Sequence, residues 1–252
     1  MAFPGELGVQ GVLALWAVIL LAAVLRAFTG FGFALAAMPF FALMFAPADA
    51  VVLSAALALG IGLLTAPTFA RDIPLAVLSR LAAGAVLGTL LGVKLLLSIS
   101  PQVFLLGIGL AVTAASLVLN GYRPRAQAAG AATTLATGLG SGLLNGALAI
   151  PGPPVIIYAL ATQREPARAR ALLLGFFTLS ALVALASYGA AGMINAASGS
   201  RFLVAFPAMV AGDYVGRRLF DRYSGRLYRT VAVAALLVIG LSASAKALLD
   251  FS

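Results

Sequence analysis

The stretch Arg26-Ala27-Phe28-Thr29-Gly30-Phe31-Gly32-Phe33-Ala34-Leu35-Ala36-Ala37-Met38-Pro39 decides how this chain is built. It follows an apolar run from Gly11 to Leu25 and leads into a shorter one ending near Phe45. One charge, two closely spaced glycines and a proline interrupt otherwise continuous hydrocarbon. Gly30 and Gly32 permit a tight turn and close approach of another group. A helix restarting after such a turn begins with N–H groups that lack intrahelical partners and with the positive end of its dipole. That combination suits an oxyanion. Thr29 is placed to cap the restarting helix. The competing reading is a plain turn between helices, with glycines for close packing.

Outward from this break, the 252 residues are 63% hydrophobic and 9% charged, against roughly 25% charged in soluble domains. The apolar residues come in runs, and about 20 of them cross a ~30 Å hydrocarbon core as a helix. The dyad alternation of a membrane barrel is absent. The chain therefore reads as an all-α integral membrane protein. Its first run follows Glu6 with no preceding Lys or Arg, which makes it a spanning helix rather than a signal peptide. There is no Cys and no His, which removes disulfides, thiolate and imidazole chemistry and most zinc sites. The seven acids are scattered without a close pair in sequence. The expected class is a transporter, not an enzyme, with no cofactor, no metal and no nucleic-acid partner; its partners are the bilayer and a small anion.

Breakers divide the chain into ten segments: Gly8 to Phe28, Phe31 to Phe45, Ala50 to Phe69, Leu75 to Leu97, Gln102 to Leu119, Gln127 to Asn145, Pro153 to Ala161, Ala169 to Met193, Phe202 to Phe220 and Leu227 to Leu248. The second and seventh are short and interrupted, and either cross fully or enter and leave on one side. If all ten cross, the basic residues split 13 against 3, with Lys94, Arg201 and Lys246 alone on the second side. If the two broken segments are re-entrant, the split is 10 against 6. The positive-inside rule favours full crossing, with both termini outside the cytoplasm of a bacterial inner membrane. Most of the net charge of +9 is then topology.

The two halves echo each other. Gly32 and Pro39 recur at Gly146 and Pro153, shifted by 114; Gly88-x3-Gly92 recurs at Gly212-x3-Gly216, shifted by 124. A duplication with repeats at residues 1–122 and 123–252 gives each half five segments. An odd number inverts the second half. Inverted repeats place substrate sites where broken helices meet near the midplane.

The second break reads Ser141-Gly142-Leu143-Leu144-Asn145-Gly146, continuing to Pro151-Gly152-Pro153-Pro154. Pro153 or Pro154 suits the first turn of a new helix. Asn145 is the most polar side chain there, and either contacts a ligand or bonds a neighbouring carbonyl. Arg26 either binds the anion through its forked donors or anchors the helix end at the headgroups. Asp213 is a coupling candidate as an intramembrane acid, or a partner of Arg217 one turn on. The ladders Gly84-x3-Gly88-x3-Gly92 and Gly138-x3-Gly142-x3-Gly146 read as close helix packing.

On Thr29-Gly30-Phe31-Gly32 with Pro39, Gly138 through Gly146 with Pro151-Gly152-Pro153-Pro154, and the Gly88/Gly92 and Gly212/Gly216 pairs, nearly the whole chain resembles the TauE/SafE (TSUP) family of sulfite exporters. The resemblance implies export of sulfite or a sulfonate. The expected substrate contacts are Arg26, Thr29, Gly30, Phe31, Gly32, Asn145, Gly146, Gly152 and Pro153, with alternating access as the mechanism. A passive anion channel is the rival reading.

Overall fold

The computed structural model describes residues 3–121, 129–163 and 165–222. These residues are helical, with no strand among them. The helices are α1 (Phe3–Thr29), α2 (Phe33–Met44), α3 (Pro47–Thr65), α4 (Leu75–Ser98), α5 (Pro101–Gly121), α6 (Ala131–Leu148), α7 (Gly152–Thr162), α8 (Pro166–Ala190) and α9 (Ala196–Arg222). The expected tenth segment, Leu227 to Leu248, lies outside the described residues. Gly8–Ala27, Pro47–Thr68, Leu75–Ser98 and Ala167–Ala190 are each long and apolar enough to cross a membrane. Large apolar side chains such as Leu13, Leu21, Leu63, Leu87 and Leu203 point outward, as they would against lipid. The chain is a multi-pass membrane protein.

The packing partners fix the helix directions. Trp16 donates its indole N–H to the Val204 carbonyl at 2.9 Å, and Arg26 reaches Asp213 further along both helices, so α1 and α9 run parallel. The Arg26 guanidinium is also 3.5 Å from the Thr65 hydroxyl at the end of α3. On the other side, Gly138, Gly142 and Gly146 face Leu81, Ala85 and Thr89 in order, which makes α4 and α6 parallel. Gly62 of α3 faces Thr178, while Phe69 packs on Ala171 and Leu174, so α8 opposes α3. Thr134 and Tyr158 share a hydrogen bond at 2.9 Å, which returns α7 antiparallel to α6.

These contacts run α1, α3 and α9 one way and α8 the other, and set α6 parallel to α4 and antiparallel to α7. At 1.5 Å per residue α2 and α7 are only about 18 and 17 Å long, too short to cross ~30 Å of hydrocarbon. Their amino ends therefore start inside the bundle. Arg26, Arg71, Arg170 and Arg217 gather at one end, and Lys94 and Arg201 at the other.

Two glycine seams hold the bundle. The α4–α6 seam interleaves both predicted ladders: a Cβ at Gly84, Gly88 or Gly92 would overlap the Leu135, Leu139 or Leu143 carbonyl oxygen, and one at Gly138, Gly142 or Gly146 would overlap the Leu81, Ala85 or Thr89 oxygen. Backbones this close are what small residues at helix interfaces allow. Gly212 and Gly216 make the second seam, where a Cβ would meet Ala23 and Ala27 of α1, each at 2.7 Å.

Sequence and structure differ in detail at the breaks. The helix start at α2 is set by Gly32, whose φ of 98° places it at the N-cap with no side-chain cap. Thr29 is the last residue of α1 instead of the cap; its side chain lies outside the described residues. The expected correspondence at a shift of 114 also moves. Thr29 and Leu148 end their helices, Phe33 and Gly152 start the next, and Pro47 and Pro166 the ones after, each pair 119 residues apart. At that spacing Gly32 falls at Pro151, not at Gly146. The sequence match had followed a shared Gly–Pro spacing that occurs at different depths of the two turns.

Candidate functional site

The two breaks meet. The α1–α2 turn closes with Gly30 N–H donating to Arg26 O at 2.8 Å, and Gly30 takes a φ of 80°. The α6–α7 turn uses Ala149 at φ 54°, its N–H donating to Asn145 O at 2.8 Å. Left-handed alanine is uncommon because its Cβ crowds the backbone. Here the turn is clamped from outside. Tyr188, fully buried, places its hydroxyl 2.8 Å from Asn145 O and 3.2 Å from Gly146 O. Asn145 O already accepts from the Ala149 N–H, so the hydroxyl adds a second donor there and reaches Gly146 O in the last turn of α6. Tyr188→Phe is expected to lower stability by about 1 kcal/mol through the lost hydrogen bond. Comparison of thermal midpoints in detergent checks this; an unchanged midpoint would discount the clamp.

Between the breaks lies a cavity of about 50 Å³. Its wall includes Phe31, Gly32, Phe33, Ala34 and Leu35 from the start of α2, and Ala149 to Gly152 from the start of α7. Arg26 and Asn145 bring the polar side chains most suited to an anion, and Ser54, Ala58, Phe177 and Thr178 of the crossing helices α3 and α8 complete the wall. One water needs roughly 10–15 Å³ of such space, so the cavity admits a compact ion of a few heavy atoms.

The amino ends are chemically unequal. At α2, the N–H groups of Phe33, Ala34 and Leu35 precede the first helical bond, which Ala36 donates to Gly32 O at 3.0 Å. At α7 the first turn contains Pro153 and Pro154, which carry no N–H, leaving Gly152 as the donor nearest the cavity. The α2 end can donate to an oxyanion in several places, whereas the α7 end contributes mainly its dipole.

Arg26 is 8% exposed and is not a headgroup anchor. Its Nη1 lies 2.9 Å from Oδ1 of the buried Asp213, and Arg217 Nη2 lies 2.8 Å from Oδ2. The sequence pairing of Asp213 with Arg217 is present, and Arg26, 187 positions away in sequence, was not foreseeable from spacing. Asn145 donates to the Ser180 carbonyl at 2.8 Å, as its carbonyl-bonding reading expects, and it also lines the cavity. Gly30 clears the Arg170 side chain, whose Cγ would lie 2.9 Å from a Cβ there. Gly146 does not line the cavity; it belongs to the α4–α6 seam. Pro153 sits in the first turn of α7, behind the lining residues. No group of His, Cys, Asp or Glu suited to a metal ion occurs among the described residues.

A second charged cluster closes the opposite end. Arg201 of α9 pairs with Asp49 of α3, Asn195 donates to the same carboxylate oxygen at 3.3 Å, and the Arg201 guanidinium lies 5.8 Å from the Phe45 ring centre. Nothing in the sequence linked these residues; helix packing brings them together.

The family model described as sulfite exporter TauE/SafE matches residues 15–243. A probable sulfite/organosulfonate exporter TauE of Cupriavidus necator is 31% identical over 119 residues, 47% of this chain and 46% of that protein. The match thus spans about half the length of that relative. No solved structure matches.

Proposed function

The chain belongs to the sulfite exporter TauE/SafE family, and on that premise we propose that it exports sulfite or a related small sulfur oxyanion by alternating access across the bacterial cytoplasmic membrane. The family is one of transporters, not enzymes. The observation that carries the reading is the cavity between the amino ends of α2 and α7, with Arg26 and Asn145 in its wall. In this reading the Phe33 to Leu35 amides and the Arg26 guanidinium hold the anion from one side. The Asn145 amide and Gly152 approach it from the other. Phe31 and Gly32 shape the wall, Thr29 and Gly30 set the first turn, and Gly146 and Pro153 support the second. The cavity volume favours sulfite over a sulfonate with a long organic tail.

The mechanism draws on two inverted halves, residues 1–122 and 123–252. The packing supports it: exchanging the halves turns the α4–α6 seam into the α9–α1 seam, and Gly88 and Gly92 into Gly212 and Gly216. At the 119-residue spacing Arg26 exchanges with Asn145, and Gly30 with Ala149, both of them left-handed. The Arg26–Asp213–Arg217 cluster and the Asp49–Arg201 cluster then serve as closures at opposite ends, one opening while the other holds. Asp213 couples to transport by competing with the anion for Arg26. The excess of Arg at the Arg26 end points that end to the cytoplasm and both termini away from it.

Gly152→Leu tests the site. A Cβ there lies 3.1 Å from Ile156 Cδ1 and 3.7 Å from Leu35 Cδ1, so a small side-chain shift accommodates it while the remainder fills the cavity. Flux of radiolabelled sulfite in proteoliposomes is expected to vanish with the thermal midpoint preserved. Wild-type flux in this variant would sink the proposed site, and unsaturable wild-type flux would replace the exporter with a channel.

A further inference from the structure

Two polar side chains in the wall of the central cavity have hydrogen-bonding capacity that the protein does not use. Ser54, on the crossing helix α3, is 1% exposed and lines the cavity. Other helix hydroxyls donate back to their own helix: Thr65 to Ile61 O, Ser116 to Val112 O, and Thr178, in the same wall, to Leu174 O. Ser54 makes no such bond among the described residues, and its Oγ is open to water rather than sealed by protein atoms. Asn145, 3% exposed, gives an amide hydrogen to the Ser180 carbonyl. A carbonyl only accepts, so this bond fixes which amide atom is Nδ2. Oδ1 is left as an acceptor without a donor among the described residues, and it too is open to water.

We propose that the cavity takes its oxyanion in the singly protonated, singly charged form, hydrogensulfite, with Asn145 Oδ1 accepting the anion's hydroxyl hydrogen and Ser54 Oγ donating to one of its other oxygens. The inference rests on the transport reading above, and it adds the protonation state of the cargo and Ser54 as a contact.

The chemistry of the wall favours that form twice over. The doubly charged anion has only acceptor oxygens, so Asn145 Oδ1 would face it lone pair to lone pair. The protonated anion has one O–H, which matches the one unmatched acceptor. Charge points the same way. Arg26 is the one charged residue of the wall among those described, and Asp213 already opposes it at 2.9 Å. The amino end of α2 adds roughly half a positive charge. A single negative charge is met by these groups; a second would be buried without a partner, at high cost. The titratable groups around these side chains are Arg26 in the wall, Asp213, Arg217 and Arg170 behind it, and Tyr188 against the Asn145 carbonyl.

The test measures equilibrium binding to the full chain in detergent, with radiolabelled sulfite and radiolabelled chlorate as probes. Chlorate is pyramidal like sulfite but singly charged without a proton. Across the pH at which hydrogensulfite loses its proton, the half-saturating concentration of total sulfite is expected to be level on the acid side. It should climb about tenfold per pH unit beyond. That of chlorate should stay level throughout, about tenfold above the acid-side sulfite value for want of one hydrogen bond to a charged group. Ser54→Ala should weaken both anions about tenfold and leave the thermal midpoint unchanged, since its hydroxyl has no partner in the protein. Asn145→Ala should weaken sulfite while sparing chlorate. Retained chlorate binding shows that this variant is folded, and if it does not fold the wild-type pH series decides.

Sulfite binding that is level or tightens as pH rises would overturn the proposal, because the dianion would then be the ligand. A parallel rise for chlorate would overturn it too, by assigning the pH dependence to a group of the protein. Unchanged affinity in Ser54→Ala removes that contact, and equal losses of both anions in Asn145→Ala remove the acceptor role. In each of these cases sulfite flux in proteoliposomes can persist, and the transport reading stands. A wild-type chain that neither binds nor carries sulfite removes that reading itself.

Discussion

Asp213→Ala is expected to destabilise the protein by about 3–5 kcal/mol, the range for stripping one partner from a buried ion pair. Asp213 is 1% exposed and holds Arg26 and Arg217 at once. Its removal leaves the Arg26 guanidinium, itself 8% exposed, uncompensated among apolar helices. Arg26→Met should cost less, because Asp213 keeps Arg217. Joining the changes as Arg26→Met/Asp213→Leu should recover most of the stability, since well-packed apolar replacements of buried ion pairs are often neutral or stabilising. Sulfite flux, however, should remain absent in the double variant, because Arg26 also lines the central cavity. Denaturation midpoints in detergent, read beside proteoliposome flux, separate the two effects. A stable Asp213→Ala variant would show the pair to be dispensable, and flux in the double variant would remove Arg26 from the substrate path.

Gly88→Leu is expected to be the most damaging change in the transmembrane core. The added Cβ alone would overlap the Leu139 carbonyl oxygen and lie 2.8 Å from the Leu143 amide nitrogen. Both are backbone atoms of α6 and cannot swing aside as a side chain does, so the two helices must part. Overpacking by side chains costs about 1–3 kcal/mol. A backbone collision at the centre of a six-glycine seam should reach or exceed the top of that range, with loss of folded protein on extraction. Even Gly88→Ala should be felt. Gly140→Ala is the control: it lies on α6 as well, and its Cβ would meet only Pro154 Cγ, at 3.9 Å. Unfolding by graded addition of SDS to mixed micelles measures both. Equal stability of the Gly88 and Gly140 variants would overturn this account of the seam. By the same reasoning, bulk at Gly146 tests packing and not the ligand, which is why Gly152 is the better probe of the cavity.

Much of the architecture was legible because lipid simplifies the rules. Apolar runs longer than a bilayer core can only be helices when the backbone must satisfy itself. The Gly/Pro interruptions marked both helix breaks, and the glycine ladders marked the seams. Arg26, Asn145 and Gly152 were singled out from sequence and do line one cavity. The helix ends at the two breaks are spaced by 119 and not by 114, because Gly–Pro spacing reports where a helix can bend, not which residue occupies the left-handed turn. Ala149 occupies that turn without being glycine, held by the hydroxyl of Tyr188 from α8, which donates to the Asn145 carbonyl of α6, and no local signal predicts a non-glycine residue there.

The sequence by itself determined the helical membrane class, the positions of the two breaks, and the crowding of Arg at one end. These depend on local composition, which each segment carries alone. Tertiary structure alone decided that the two breaks face one cavity, that Asp213 holds Arg26 as well as Arg217, and that Asp49 meets Arg201. Those pairings join residues far apart in the chain, such as Arg26 and Asp213 at a separation of 187. They exist only because parallel helices pressed together at glycine bring their side chains into register, a relation between surfaces that no single stretch of sequence contains.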